Sequence, residues 1–560
     1  STNTKFSWKN NSDPAPYYVN DITETSGTVY LGNTMETEAN GHAFKSVGGK
    51  ISAAGIITSS MNNMTFFGGS NTNDRAASWI KVTGGSNNVI YGGGDGKNMT
   101  DGTNIWISAS NNAKVYGGSN NANVTGDINV DIDAGSYMTV FGGSNNGGTV
   151  TGNINVSIVE AQINSHFAGG GLGSVVGNIT SEISVNKVSA GNIFGGAIGD
   201  ASIAGGNVDG NIALTINSGS YQGLVFGGSR ISGDASATVT GSITLNVNNV
   251  THQDNDALLE EGPTSWIVGG GQAVEGGKLT TGAVSISIAD SSIGRVVGGA
   301  QADGQGSVAE VGDVEISIDN SSVVNIFGGG YAYNNGVSTV NGDTYITINA
   351  GDRTTITGNI YGGGDNPASG VYGGSATVTG DSTIEFSGSG DSLIFTGVVN
   401  GDGMIAGTVA GDKNLVFKGF SGTFNGTAVN FDNVSFSGDT AMNMANSFSV
   451  SSMTFDLSER SSSMANDGFV SDAASFNFTD GEKNINLIFD FDSDSFDFAL
   501  MDVSDESLEG ATVNIFDINS DQTVSLTFGS QFAIDGKGVF NLDVDDNGML
   551  TASFKKGALA

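Results

Sequence analysis

Acidic side chains near the C-terminus have the spacing that most resembles a metal site. The pattern D-x-D-x-N-G at 543–548 matches the first half of an EF-hand loop, so Asp543, Asp545 and Asn547 are calcium candidates. The twelfth position of such a loop, where a bidentate Glu is required, is Phe554. The segment therefore favours a hairpin turn, and calcium binding is the alternative.

Asp492 and Asp494 form a second calcium candidate. They lie in a segment in which Asp and Phe alternate, and this alternation also explains them as the solvated face of a strand. A transition-metal site is not expected, because the chain has no Cys and its His residues, His42, His166 and His252, lie in unrelated segments. No cofactor is predicted other than this possible calcium.

Composition excludes several classes of protein. The chain has 560 residues with 57 Asp plus Glu against 20 Lys plus Arg, a formal net charge of −37. This charge argues against a nucleic-acid partner and against docking on an anionic membrane. No apolar run approaches the ~18–20 residues of a membrane-spanning helix, so no membrane insertion is predicted. Hydrophobic residues make up 38% and alternate with polar ones, which indicates ordered strands rather than disorder.

One short motif recurs along most of the chain, an apolar residue followed by a pair of glycines. The pairs begin at Gly68, Gly92, Gly117, Gly142, Gly169, Gly195, Gly227, Gly269, Gly298, Gly328 and Gly362. Successive copies are 24, 25, 25, 27, 26, 32, 42, 29, 30 and 34 residues apart. Self-similarity at such a period indicates a repeat architecture.

A second motif, V-x-G-[DNS]-I-x-[VL]-x-[IV], lies between the glycine pairs at 124–132, 150–158, 208–216 and 239–247. Each repeat therefore holds at least two short strands. A unit of this size cannot fold alone, because ordering costs roughly 1–2 kcal/mol per residue and each buried apolar side chain returns only about 1.5–3 kcal/mol. Stacked coils solve this problem, so the sequence predicts an all-β parallel β-helix, or β-solenoid. A propeller is disfavoured because its repeats usually run ~40–45 residues.

The two motifs assign roles to particular residues. Glycine pairs suit coil corners, where positive φ or close backbone approach is needed. The predicted structural corners include Gly68, Gly69, Gly142, Gly143, Gly328 and Gly329. A short polar residue follows the corner glycine of the second motif and is expected to accept hydrogen bonds from backbone N–H groups of a neighbouring coil. This polar ladder comprises Asp127, Asn153, Asn178, Asn211, Ser242, Asp313, Asp343 and Asp381.

Three regions are predicted along the chain. Residues 1–45 contain Pro14 and Pro16 and form an N-terminal extended segment or cap. Residues 46–400 form the Gly-rich solenoid. Residues 401–560, in which glycine is sparser and Phe and Asp more frequent, form an acidic β continuation and a C-terminal cap. The chain begins at Ser1 without a basic-then-apolar leader, as expected of a mature exported protein.

Enzymatic chemistry is not expected. β-Solenoid enzymes that cleave acidic polysaccharides need grouped Asp with a Lys or Arg base on one face. None of the five arginines recurs near clustered Asp at the repeat spacing, and no catalytic residue is assigned. Neutral glycans remain possible ligands, because exposed aromatic rings can stack on sugars. The candidates are Trp79, Trp106, Trp266, Tyr331 and Tyr333.

The repeats resemble those of bacterial autotransporter-type β-helical surface proteins. The resemblance is carried by I-F-G-G-G-Y-A at 326–332, by V-x-G-D-x-x-I-x-I at 340–348 and by the closing segment 542–550. It implies export from a Gram-negative cell and a role in adhesion, aggregation or matrix formation. Beyond the repeats the sequence departs from the family pattern, so the resemblance implies a released passenger or another export route.

Together these features predict a structural or adhesive β-solenoid, extracellular and on the bacterial cell surface. The expected partner is a second copy, because unpaired solenoid edges accept an added strand such as residues 1–25 and head-to-tail contacts of this kind form filaments. A host or matrix glycan or protein is a further possible partner. The alternatives are a monomeric glycan-binding adhesin using loops such as 251–264, and a β-helix polysaccharide lyase or hydrolase.

Overall fold

The computed structural model describes most of the chain and divides it into two compact units. It describes residues 3–5, 18–33, 43–45, 51–188, 191–203, 205–221, 223–252, 266–351, 353–366, 373–405, 407–446, 448–471, 477–478, 483–502, 508–520, 523–534 and 536–557. The first unit comprises Ser1–Val314, Gly330–Asn341 and Asn366–Ala376, and the second comprises Glu315–Gly329, Gly342–Asp365 and Thr377–Ala560. Much of the predicted N-terminal segment, residues 1–45, lies outside the described residues.

The predicted fold class is confirmed. The described regular structure consists of strands apart from two 3-10 turns, Gly390–Ser392 and Ser462–Met464, and one helical residue, Leu508. In the first unit, strands of successive coils pair in parallel, as in a β-solenoid.

Four rows of strands make up the coils of the first unit. Row 1 contains the alternating V-x-I-x-I segments: Ile51–Ile57, Ser78–Val82, Thr103–Ile107, Ile128–Phe141, Ile154–Ala168, Ile179–Val188, Ile212–Tyr221, Ile243–Asn248 and Val284–Ala289. Row 2 ends at the glycine pairs: Gly27–Tyr30, Met64–Phe67, Val89–Tyr91, Ala113–Tyr116, the second halves of Ile128–Phe141 and Ile154–Ala168, Ile193–Phe194, Val225–Phe226, Trp266–Val268 and Ser292–Val297.

Rows 3 and 4 follow the glycine pairs and complete each coil. Row 3 contains Ile198–Gly199, Arg230–Ser232, Gln272–Val274, Gln301–Asp303 and Tyr331–Tyr333. Row 4 contains Val124–Thr125, Thr149–Thr151, Ser174–Val176, Val208–Asp209, Ser236–Val239, Lys278–Thr281, Val308–Val311 and Val337–Val340. The later coils therefore hold four strands, two more than the two motifs alone identify.

Alternation in row 1 explains why the coils stack. Ile128 and Ile132 are fully buried, and they pair in register with Ile154 and Ile158 of the next coil. The intervening residues face outward, as the period of two requires. Each coil therefore extends apolar columns that a single coil could not bury.

Antiparallel strands occur at the beginning of the first unit. Asn3–Lys5 pairs with Tyr18–Asn20, and Ala43–Lys45 pairs with Ile51–Ile57 of row 1. The strand Val250–His252 pairs in parallel with the end of Ile212–Tyr221. An antiparallel strand on the first row 1 strand covers a backbone edge that would otherwise be open.

The second unit has a core rich in phenylalanine. Phe386, Phe417 and Phe436 stack on one another with ring centroids 5.6 and 5.8 Å apart, and Phe436 stacks on Phe455 at 5.4 Å. Its parallel strands are Ser322–Phe327, Thr344–Ala350, Thr354–Ile356, Ile360–Tyr361, Ser382–Ser389, Leu393–Phe395, Val398–Asn400, Lys413–Phe424, Thr427–Ser437, Ala441–Met444, Phe448–Asp456, Val470–Ser471, Asn477–Phe478, Asn484–Phe489 and Thr512–Asp517. Short strands also lie at Met404–Ile405 and Gly407–Val409, and the strands Val314–Asp319, Asp365–Asn366 and Ser375–Val378 contain division points between the units.

Antiparallel strands form the C-terminal end of the second unit. Gly538–Val544 and Met549–Lys556 form the predicted terminal hairpin, and Phe496–Asp502 pairs with its second strand. Thr523–Thr527 pairs with Thr512–Asp517, and Gln531–Ile534 pairs with Gly538–Val544. The parallel coils therefore end against antiparallel strands.

Candidate functional site

The glycine pairs lie where the backbones of successive coils approach one another closely. A Cβ atom on Gly68, Gly69, Gly142, Gly143, Gly328 or Gly329 would lie between 2.1 and 2.6 Å from a backbone atom of the next coil. None of these six glycines has a φ in the left-handed range. Of the two reasons for glycine that the sequence offers, close approach therefore applies at these corners.

The polar ladder is a chain of hydrogen bonds between coils. The Oδ1 atom of Asp127 accepts from the Asn153 N–H at 2.8 Å, and Asn153 Oδ1 accepts from the Asn178 N–H at 3.0 Å. Asn178 Oδ1 accepts from the Asn211 N–H, and Asn211 Oδ1 accepts from the Ser242 N–H, both at 2.9 Å. Each side chain therefore satisfies a corner N–H that would otherwise depend on water.

Members of the same ladder occur in both units. In the second unit, Asp343 Oδ1 accepts from the Asp381 N–H and Asp381 Oδ1 from the Asp412 N–H, both at 2.8 Å. In the first unit, the backbone carbonyl of Asp313 accepts from Val284 N at 2.8 Å. These contacts give the ladder a structural role and leave no requirement for a ligand.

Further asparagine ladders were missed by the sequence analysis. Asn112 Nδ2 donates to Asn87 Oδ1 at 2.7 Å, and Asn87 Nδ2 donates to Asn63 Oδ1 at 3.1 Å. All three residues have positive φ, which Asn tolerates better than most residues. The polar pairs at 62–63, 86–87 and 111–112, which recur after 24 and 25 residues, are the signal that identifies this column.

The outward face of row 1 carries a polar surface with two tryptophans. Asn155 Nδ2 donates to Asn129 Oδ1 at 3.1 Å, and Asn129 Nδ2 donates to Asn104 Oδ1 at 2.9 Å. Trp79 pairs in register with Asn104, and the half-buried Trp106 donates from Nε1 to Asp133 at 2.7 Å. A depression of about 310 Å³ on this face is lined by Asn104, Asn129, Asp131, Asn155, Ser157 and Glu182, among others.

The other aromatic candidates are less accessible. Trp266 and Tyr331 are 6% and 7% exposed, and their rings meet edge to face at 4.5 Å. Arg295 stacks over Trp266 at 4.4 Å, and Tyr333 lies half-buried beside Tyr331. Packing accounts for Trp266 and Tyr331, whereas Trp79 and Trp106 remain partly accessible. The loop 251–264 lies almost entirely outside the described residues.

The two calcium candidates make contacts within the protein. Asp545 Oδ1 accepts from the N–H groups of Asn547 and Met549 at 2.8 and 2.9 Å, and these bonds lower the pKa of the Asp545 carboxyl. Asp543 Oδ1 accepts from the N–H of Val544 at 3.0 Å. The C-terminal segment is therefore a hairpin turn with its own hydrogen bonds.

The second calcium candidate, Asp492 and Asp494, forms ion pairs with lysines. Lys537 Nζ forms an ion pair with Asp492, and Lys556 Nζ lies 3.6 Å from Asp494 Oδ1. No group of three or more His, Cys, Asp or Glu residues in the described part of the chain is placed to hold a metal ion. The two acidic candidates are thus hydrogen-bonded or ion-paired, and no described metal cluster includes them.

The strand Thr523–Thr527 forms an edge at the C-terminal end of the second unit. Its one described partner is Thr512–Asp517, and its side chains alternate between exposed and half-buried. Its sequence, T-V-S-L-T, contains no charge and no proline. The strand Gln531–Ile534, with the sequence Q-F-A-I, has Gly538–Val544 as its one described partner.

Among the described residues, no helix has the length and apolar character needed to span a lipid bilayer. Comparisons were made with protein-family models, with curated proteins and with solved structures. No family model matches the chain, and no curated protein or solved structure matches it significantly.

Proposed function

We propose that this protein is an extracellular, non-enzymatic structural β-solenoid that self-associates on a bacterial cell surface. The observation that best supports this proposal is the uncharged edge strand Thr523–Thr527. Its second backbone edge has no partner among the described strands. The resemblance of the repeats to autotransporter-type surface proteins supports the location. The regular hydrogen-bonded ladders support a structural role, because they stiffen the stack of coils without forming a reactive site.

An edge strand of this composition favours association. Soluble proteins usually protect sheet edges with charged residues, proline or bulges, because the free N–H and C=O groups otherwise pair with another chain. Neither Thr523–Thr527 nor Gln531–Ile534 contains a charged residue or a proline. A second copy of the chain is the partner that presents a matching edge at the same concentration. An added strand from residues 1–25 is the other source, and most of that segment lies outside the described residues.

Replacing exposed threonines on this edge by lysine tests the proposal. Thr523 and Thr527 are both exposed, so T523K/T527K adds two charges to the edge without disturbing a buried side chain. The matched control is T125K/T238K, because Thr125 and Thr238 are also exposed but belong to row 4 strands that have a backbone partner in the coil on each side. Light scattering after size exclusion and electron microscopy of the purified full chain give the assembly state.

We expect oligomers or fibres from the unsubstituted protein and from T125K/T238K, and monomers from T523K/T527K. Deletion of residues 1–25 tells the two strand sources apart, since assembly should survive it if copies pair through their C-terminal edges. A uniform monomer for the unsubstituted protein across the accessible concentration range would refute self-association.

A glycan-binding adhesin is the second candidate, and the row 1 surface favours it. Trp79 and Trp106 lie beside amide and carboxylate side chains, a combination that stacks on and hydrogen-bonds to sugars. A glycan array with the full chain tests this function, and W106A should remove the binding. Release of reducing ends from a polysaccharide panel would instead identify a lyase or hydrolase.

A further inference from the structure

A groove on the first unit runs between the ends of row 2 and the strands of row 3. It contains a cavity of about 240 Å³ lined by His166, Asn192, Phe194, Ile198, Arg230 and Gln272, among others. Ligand pockets for drug-sized molecules are typically about 300–1,000 Å³, so this cavity suits one ring or a small group. Phe194 and Ile198 supply apolar surface, and Arg230 supplies a positive charge.

Arg230 is a half-buried arginine held by one of its three nitrogens. Its Nε donates to Gln272 Oε1 at 3.1 Å, and within the described part of the chain the guanidinium has no ion-pair partner. The two Nη groups are the side of the guanidinium that matches a carboxylate in a bidentate contact. The two Nη groups of Arg230 are therefore available to a ligand in the groove.

Two buried glutamines fix the orientation of this arginine. Gln272 accepts from Arg230 and donates from Nε2 to Gln301 Oε1 at 3.1 Å. Gln272 and Gln301 are 8% and 6% exposed, so both side chains are held by packing. A guanidinium positioned in advance loses less conformational entropy when a ligand binds.

The acidic residue whose charge interacts with Arg230 is occupied elsewhere. Asp200 Oδ1 accepts from the Ser202 N–H at 2.7 Å, from Ser202 Oγ at 2.6 Å and from the Ile203 N–H at 2.7 Å. These bonds, led by that from Ser202 Oγ, lower the pKa of Asp200. These three bonds hold Oδ1 of Asp200 within its own turn, and no ion pair joins Asp200 to Arg230 among the described residues, so the guanidinium keeps its capacity for another carboxylate.

His166 also lines this cavity. Its Nδ1 is 2.6 Å from Ser165 Oγ, which leaves the other ring nitrogen for the groove. Desolvation, and after it the charge of Arg230, lower the pKa of His166, which favours the neutral ring. The groove therefore combines one positive charge with polar side chains and apolar side chains.

We propose that this cavity binds a carboxylate carried by a small, otherwise neutral ligand, which Arg230 holds through both Nη groups. The net charge of −37 disfavours a polyanion, but charges farther than about 8–10 Å are largely screened at physiological salt, so one carboxylate in contact with Arg230 is attracted. A uronic-acid residue of a glycan and the C-terminal carboxylate of a peptide present the same group.

Arginine side-chain NMR tests this proposal on the full chain. The sequence contains five arginines, so selective arginine labelling gives a simple spectrum, and R230K identifies the signal of Arg230. The probes are sodium glucuronate with glucose as its neutral match, and acetyl-dialanine with its amide as neutral match. We expect the Arg230 signal to move saturably with at least one carboxylate, while the exposed Arg353 stays unchanged.

The substitution R230Q separates binding from folding. Glutamine at this position matches Gln272 and Gln301, so the coils should remain stacked and the melting temperature should hold. We expect carboxylate affinity to fall about tenfold or more, because a charge-assisted pair is lost. A response to glucuronate alone indicates a glycan source, and a response to acetyl-dialanine alone a peptide source. The proposal is wrong if neither carboxylate moves the Arg230 signal, if the neutral matches move it equally, or if R230Q binds unchanged.

Discussion

Adding a single methyl group at a glycine-pair corner should separate two coils. A Cβ at Gly142 would lie 2.1 Å from the carbonyl oxygen of Gly169, about 1.3 Å inside the 3.4 Å at which ordinary contact begins. It would also meet the methyl groups of Val156 and Ile154 at 2.8 and 2.9 Å. The oxygen belongs to the backbone of the next coil, so no side-chain rotation can relieve the overlap.

The expected cost follows from the hydrogen bond at the same corner. Gly142 N donates to Ala168 O at 2.9 Å, and a displacement of this size breaks that bond in a buried place. A buried unsatisfied backbone group costs about 1–3 kcal/mol and overpacking a further ~1–3 kcal/mol. We therefore expect G142A to destabilise the first unit by about 2–6 kcal/mol, which lowers the apparent melting temperature by at least ~3 °C.

Thermal melting and hydrogen exchange measured by mass spectrometry test this expectation. G142A should melt early, and peptides that cover 137–145 and 164–172 should exchange faster than in the unsubstituted protein. The matched control is G351A, because a Cβ at Gly351 meets nothing closer than Asp319 Oδ1 at 3.4 Å and its φ is not left-handed. If G142A and G351A melt and exchange alike, close approach does not explain the glycine pairs.

The remaining predictions concern the ladder, pH and calcium. N153A removes the acceptor of the Asn178 N–H and should cost about 0.5–1.5 kcal/mol in chemical denaturation, whereas N153D keeps the acceptor and should cost less. Hydrogen bonds from Ser461 lower the pKa of the Asp439 carboxyl. The contribution of this carboxyl to the free energy of unfolding is therefore complete above the unfolded-state pKa of ~3.9 and is lost as pH falls through the folded-state pKa. Acid melting curves should show this loss of stability, and D439N should make it smaller. EDTA should leave the melting temperature unchanged, since the described residues hold no metal cluster.

The sequence predicts the fold because the same constraint recurs in every coil. Inward positions such as Ile128 and Ile154 must be apolar and must return at the coil length, and this requirement gives a period that can be counted. The glycine pairs and the polar ladder are visible for the same reason. Where one geometric demand repeats many times, its residue types stand out without any structure.

Rows 3 and 4 are not predicted because their strands, of two to four residues, are too short to show a clear period, and row 3 is the extreme case. Arg230–Ser232 and Gln272–Val274 have three residues each, and Ile198–Gly199 has two. Alternation cannot be read from two or three residues, and parallel pairing with the next coil is what makes these segments strands. At the C-terminal end the hairpin of Gly538–Val544 and Met549–Lys556 is predicted, but the other antiparallel strands are not, because only tertiary contacts tell an edge from an interior strand.

Binding sites in a solenoid are hidden from sequence analysis by the ladders themselves. A structural column repeats the same type of side chain from coil to coil, as Asn63, Asn87 and Asn112 do. The hydrogen bonds between its members are then sufficient to explain each of them. Arg230 breaks its column, because its partners in register are Ile198 and Gln272. Its Nε continues the hydrogen bonds of Gln272 and Gln301, but a neutral glutamine could do the same without the cost of desolvating a charge, so the charge needs a reason outside the stack of coils. A carboxylate ligand provides that reason, and it is why R230Q is expected to remove binding while leaving the coils stable.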